Sequence, residues 1–141
     1  MIVLDTNVVS ETWRPKPEPT VLQWLDAQQP STLYLTSVNL AELLVGIELL
    51  PAGRRRSGLE RAFGEQLMPL FAGRVLGFDE RAAHAFALVQ TGAQAAGNSI
   101  AFADAAIAAM ARVNGFMVAT RNVRDFRGTG VEVLNPWAEP N

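Results

Sequence analysis

Three acids stand out for the company they keep. Asp104 is the only charged residue in Ser99-Ile100-Ala101-Phe102-Ala103-Asp104-Ala105-Ala106-Ile107-Ala108-Ala109-Met110-Ala111. Glu42 is the single acid in Ser37-Val38-Asn39-Leu40-Ala41-Glu42-Leu43-Leu44-Val45-Gly46-Ile47, and Asp5 closes the apolar run Met1-Ile2-Val3-Leu4. A carboxylate in apolar surroundings costs several kcal/mol unless hydrogen bonds, a counter-charge or a metal offset it. Three brought together repel one another and raise one another's pKa. A hard divalent cation removes that conflict: Mg²⁺ and Mn²⁺ take oxygen ligands, activate a bound water and polarise a phosphoryl group. Other chemistries have less support. There is no cysteine, which excludes a disulfide scaffold, a thiolate zinc site and a Cys nucleophile. The one histidine, His84, reads as an ordinary helix residue, so a Ser-His-Asp triad and a His-based zinc site find little footing. Metal-assisted hydrolysis of a phosphodiester remains.

The elements that must position these acids alternate. Met1–Leu4, Leu33–Thr36, Arg74–Phe78, Phe116–Thr120 and Val131–Leu134 read as short strands. A Pro-rich loop (Pro15, Pro17, Pro19) leads into a helical period through Val21, Leu22, Trp24 and Leu25. Ser37 is placed to cap a helix running to about Leu50, which Pro51 and Gly53 end. Arg54–Met68 reads as a helix closed by Pro69, and Asp79 caps another reaching about Ala96. The alanine-rich segment around Asp104 is helical by propensity, is apolar on nearly every face and therefore belongs in the interior, and stops at Asn114-Gly115. Arg121–Phe126 is a short turn or helix.

Strands alternating with helices predict a parallel sheet covered on both faces. Three strands end in polar groups: Asp5-Thr6-Asn7, Thr36-Ser37 and Thr120-Arg121-Asn122. In an open α/β sheet these ends share one edge, where ligands bind. The helix carrying Glu42 starts at that same edge.

Composition sets the frame. The chain of 141 residues, 49% hydrophobic and 18% charged, fits one domain over residues 1–141. The N-terminus lacks the basic region of a signal peptide, and no apolar run reaches the roughly 18 residues a membrane span needs. A cytoplasmic location is expected. The net charge of −2 argues against a broad polyanion-binding surface, but 11 of the 12 basic residues are Arg, clustered at Arg54-Arg55-Arg56 with Arg61 and at Arg121, Arg124 and Arg127. Those clusters suit local phosphate contacts; the plainer reading of each is a solvated face.

The ordered set Asp5-Thr6-Asn7, Glu42 in an apolar helix, Ala103-Asp104-Ala105-Ala106-Ile107-Ala108-Ala109 and Thr120-Arg121-Asn122-Val123-Arg124-Asp125-Phe126 resembles PIN domains. The ending Gly130-Val131-Glu132-Val133-Leu134-Asn135-Pro136-Trp137 looks like the VapC-type toxins of bacterial type II toxin–antitoxin pairs. The resemblance implies a three-layer α/β/α sandwich with a central, mostly parallel sheet. It implies an Mg²⁺- or Mn²⁺-dependent endoribonuclease whose metal-binding acids are Asp5, Glu42 and Asp104. Thr6 or Asn7 would orient the first acid and Thr120 would hydrogen-bond at the site. The family's frequent fourth acid falls here at Asn122, with Asp125 a little further on. Arg121 or the Arg54–Arg56 cluster would steer the RNA backbone. The implied partners are a cognate antitoxin, an RNA substrate and a second copy of the chain. Two rival readings stand beside this one. An aspartate-based phosphatase or phosphoacceptor domain would usually carry a second acid at position 7 and a late Lys; this chain has Asn7 and no Lys after Lys16. A non-catalytic PIN-like binding module would have no reason to keep a complete acid triad.

Overall fold

A computed structural model describes residues 1–138; the last three residues of the expected 1–141 domain lie outside them. Five strands form one sheet: β1 (Ile2–Leu4), β2 (Leu33–Thr36), β3 (Val75–Leu76), β4 (Met117–Ala119) and β5 (Val133–Leu134). Their order is β3-β2-β1-β4-β5, and every pairing is parallel. The helices are α1 (Thr6–Thr12), α2 (Pro19–Asp26), α3 (Ser37–Glu48), α4 (Arg54–Arg61), α5 (Met68–Leu70), α6 (Glu80–Ala95) and α7 (Phe102–Asn114).

Period-two alternation along the strands builds two cores. Leu4, Leu33, Leu35 and Ala119 pack with Val8, Val9, Val21 and Phe71 on one face of the sheet. Val3 and Val118 point to the other face and meet the alanines of α7 with Val89 of α6. Burial on both faces explains why the strands are apolar runs and not polar–apolar alternations. The alanines let α6 and α7 approach closely. Gly128 (φ 78°) lies against the C-terminal end of α6, where a Cβ would lie 2.8 Å from the Ala96 Cβ. Gly115, at φ 69°, ends α7 in the left-handed conformation that glycine adopts without strain.

The α/β/α sandwich with a parallel sheet is as expected, and five details differ. Thr6–Thr12, given no element by the sequence pattern, is a helix capped by the Asp5 side chain accepting the Thr6 N–H. Thr36, not Ser37, caps α3, in a reciprocal capping box with Asn39. The helix expected over Arg54–Met68 is regular only to Arg61, widens to π-helical turns over Ala62–Leu67, and passes Pro69 as α5. Pro69 has no N–H to return to the preceding turn, and the wider turns ahead of it accommodate that missing donor. The strands expected over Arg74–Phe78 and Val131–Leu134 pair only at Val75–Leu76 and Val133–Leu134. The alanine-rich helix begins at Phe102, so the expectation that the whole stretch is interior fails at its N-terminus. Residues 105–111 are fully buried, whereas Phe102 is 68% exposed and Asp104 only part-buried. No helix among the described residues is long and apolar enough to cross a membrane.

Candidate active site

Register brings the first polar groups together. Leu4 pairs with Ala119 across β1 and β4, so the next residues, Asp5 and Thr120, emerge side by side. The Asp5 N–H donates to the Ala119 carbonyl at 2.8 Å, and the Thr120 hydroxyl donates to Asp5 Oδ2 at 2.7 Å. Asp5 Oδ1 accepts the Thr6 N–H at 2.8 Å. Asn7 donates through its amide to Thr120 Oγ1 at 3.3 Å and to Asp5 Oδ2 at 3.5 Å, while the Asn122 N–H donates to Thr120 Oγ1 at 3.0 Å. The Thr120 hydroxyl thus accepts from two donors, and its own proton points to Asp5. Asp5 is 5% exposed, and that burial pushes its carboxyl above the ordinary aspartate range against the pull of Thr120 and the Thr6 N–H.

Glu42 enters from α3. The Thr6 hydroxyl donates to Glu42 Oε1 at 2.7 Å, and the Asn39 amide donates to Thr6 Oγ1 at 3.1 Å. Asn39 is fully buried, and its Oδ1 also accepts the Thr36 N–H and hydroxyl, so one side chain caps α3 and aims Thr6 at Glu42. Asn39 was not among the residues singled out from the sequence. Its signal is the Thr36-x-x-Asn39 spacing of a capping box, which placing the cap one residue later, at Ser37, conceals.

Asp104 comes from the first turn of α7 and has neither a hydrogen bond nor an ion pair among the described residues. Its carboxyl is pushed up to about 6, chiefly by burial and then by the charges of Asp5, Asp125 and Glu42. Four acids from four different elements therefore share one field at the C-terminal edge of the sheet. Asp125 sits in the short helical turn Val123–Phe126, whose backbone the Asn98 amide grips at the Asp125 and Arg127 carbonyls. Asp125 adds charge at the site, and the brace on the turn is Asn98.

The arginines divide. Arg121 follows Thr120, and its N–H donates to Asn7 Oδ1 at 3.3 Å. Arg55 lines a cleft of about 330 Å³ that also contains Thr6, Trp13 and Glu42. Arg56 is committed elsewhere, to Glu48 and Glu60 at 2.9 Å each. Arg54 makes no side-chain bond among the described residues. His84 is on the exposed side of α6, 4.0 Å from Glu80, and among the described residues makes no ion pair with Asp5, Glu42 or Asp104.

The cluster suits a divalent cation by donor chemistry and by charge. Its side-chain donors are oxygens, and the carboxyls of Asp5 and Asp104 are both raised, by burial first and then by neighbouring acids. As they stand, no three acidic or histidine groups among the described residues converge tightly enough to share one ion. Coordination by one or two carboxylates, with water completing the shell, is what Mg²⁺ ordinarily accepts.

With that geometry in place, the likenesses to known proteins are informative. The PIN domain family model matches residues 2–131. VapC ribonuclease Y4jK of Sinorhizobium fredii is 45% identical, over 97% of this chain and 98% of that protein. Toxin FitB of Neisseria gonorrhoeae is 42% identical, over 97% of this chain and 99% of that protein. A solved structure of FitAB bound to an IR36 DNA fragment superposes with a TM-score of 0.96 at 40% identity, covering 100% of this chain and 99% of that one. Fold, acid-lined edge and full-length similarity agree: the chain belongs to the PIN-domain family, alongside the VapC and FitB toxins.

Proposed function

We propose that this single-domain chain is a divalent-metal-dependent endoribonuclease, the toxin of a type II toxin–antitoxin pair, that hydrolyses RNA phosphodiesters in the cytoplasm. The observation that carries the reading is the meeting of Asp5, Glu42, Asp104 and Asp125 at one sheet edge, close enough that the other three, after burial, help push the Asp104 carboxyl up to about 6. Full-length similarity to a protein named VapC ribonuclease and to one named Toxin FitB supports the same assignment.

Asp5, Glu42 and Asp104 would hold Mg²⁺ or Mn²⁺. When bound, such an ion supplies charge neutralisation at a phosphoryl oxygen and a water more readily deprotonated at neutral pH. The chain's own residues do the rest. The Thr6 N–H and the Thr120 hydroxyl fix both Asp5 oxygens in direction. The Thr6 hydroxyl, held by Asn39, fixes Glu42. Asn122 braces Thr120 through its backbone N–H. Arg121 and Arg55 place positive charge beside an acidic edge that would otherwise repel a polyanion. The partners in this reading are an RNA, a cognate antitoxin that covers the acid edge, and a second copy of the chain.

The test is cleavage of a structured RNA with Mg²⁺ or Mn²⁺, compared with EDTA. The parent cuts only with metal, and Asp104→Asn does not cut. An Asp104→Asn protein that cuts as well as the parent would sink the site assignment. Divalent-metal binding absent by calorimetry would favour a non-catalytic binding module.

A further inference from the structure

We propose that Trp137 is a positioning residue whose ring holds the Arg121 guanidinium at the rim of the acid cluster as a phosphate-binding group; this rests on the ribonuclease reading. Arg121 is anchored at its backbone, where its N–H donates to Asn7, the residue that also braces Asp5 and Thr120. Its side chain lies over the Trp137 ring, Cζ 5.4 Å from the centroid. Among the described residues no acid pairs with Arg121, whereas Arg14 and Arg56 are spent on Glu11, Glu48 and Glu60. The Arg121 charge is oriented but not neutralised.

Trp137 is itself seated. Its N–H donates to Asn135 Oδ1 at 2.9 Å, and its ring packs against the core that includes Val9 and Leu134. The indole also meets Glu11 of α1, a residue 3% exposed whose charge Arg14 takes up at 3.2 Å. The Asn135-Pro136-Trp137 ending thereby fastens the C-terminal segment to α1 and presents an aromatic face beneath the arginine. An unsupported arginine loses rotamer freedom when it grips a phosphate; one already stacked loses less, so the ring strengthens binding without touching RNA.

The experiment is fluorescence anisotropy of a labelled single-stranded RNA oligonucleotide in EDTA, so that cleavage plays no part. Parent, Arg121→Gln, Trp137→Leu, Trp137→Phe and the Arg121→Gln/Trp137→Leu double variant are compared between 50 and 200 mM salt, roughly the range over which phosphate contacts are read. Arg121→Gln weakens binding and lowers the slope of log K against log salt by about 0.7, the value for one phosphate contact on a single strand. Trp137→Leu weakens binding about 2- to 5-fold, the size of an exposed cation–π contact. Trp137→Phe, which keeps a π face, restores most of the loss. The double variant binds no worse than Arg121→Gln alone, because the ring acts only through the arginine. Urea unfolding confirms that each variant is folded under assay conditions. If Trp137→Leu costs the same affinity with or without Arg121, Trp137 is merely structural and the proposal is wrong. If the parent binds RNA and Arg121→Gln binds identically, the proposal falls while the ribonuclease reading stands. A parent that shows no salt-dependent RNA binding overturns the proposal, and cleavage with Mg²⁺ or Mn²⁺ decides the ribonuclease reading separately.

Discussion

Asp104 is the residue on which chemistry and stability pull in opposite directions. Its carboxyl is raised to about 6, so the folded protein holds that proton more tightly than the unfolded chain, where aspartate titrates near 3.8. Stability from this group is therefore greatest at low pH and is lost as pH rises from about 4 to 6. Asp5, also raised, acts in the same direction. Glu11 acts in the opposite one: burial would raise it, but the Glu18 N–H, Arg14 and Trp137 more than offset that, and its contribution is lost as pH falls. The clean measurement is the difference between Asp104→Asn and the parent without metal. At pH 7 the variant is more stable by about 1–2 kcal/mol, after discounting the shift for partial exposure. The gap closes as pH drops below about 6 toward 4. Urea midpoints across that range check it, and a variant that unfolds at every pH makes Asp104 a structural residue.

Two elements show how local chemistry sets the geometry of the site. In α3, Asn39 joins the helix cap to Thr6 and thence to Glu42. Asn39→Ala strands the Thr36 N–H in the interior and costs about 1–3 kcal/mol by urea unfolding. It also frees Thr6, so cleavage falls about 10- to 100-fold, as is usual when a group orienting a metal ligand is lost. Unchanged cleavage in that variant would show that Glu42 needs no such support. At the C-terminal end of α6, glycine matters where another backbone segment nearly touches the helix. Gly128→Ala places a Cβ 2.8 Å from that of Ala96 at φ 78° and destabilises by about 2 kcal/mol or more. Gly58→Ala, on the exposed face of α4 with nothing within 4 Å, stabilises by about 0.5–1 kcal/mol. Thermal melts that rank the two variants the other way would contradict the packing described.

At the scale of the whole molecule, the sheet edge is a concentration of like charge that a cation bound there, as proposed, would turn into a source of stability. On the proposed reading Mg²⁺ or Mn²⁺ binds only the folded arrangement of Asp5, Glu42 and Asp104, so the expected outcome is a higher melting temperature of the parent with metal. At 100 times the dissociation constant the gain is about 2.7 kcal/mol. Asp5→Asn and Asp104→Asn melt at the same temperature with metal as without it. Scanning calorimetry with a metal titration tests this, and an equal shift in parent and variants would place the ion elsewhere.

Much of this was written in local sequence because it rests on local physics. Apolar runs of four or five residues closed by polar groups announced the strands, and alternation with helices announced the parallel sheet. An acid alone among alanines singled out Asp104, although its place in the first turn of α7 leaves it only part-buried. Other features depended on distance across the fold. Whether Asp104 is interior or at a rim depends on how far α7 projects past the sheet edge, and its sequence is apolar on either side. That Asp5 caps α1 while facing Thr120 follows from the β1–β4 register, which residues separated by most of the chain decide together. Asn39 gained its second task, and Arg121 its aromatic support, only when α1, α3 and the C-terminal segment met. Local composition could name the acids. Only tertiary packing could decide which neutral side chains hold them in place, because hydrogen bonds between elements leave no period or spacing in the chain.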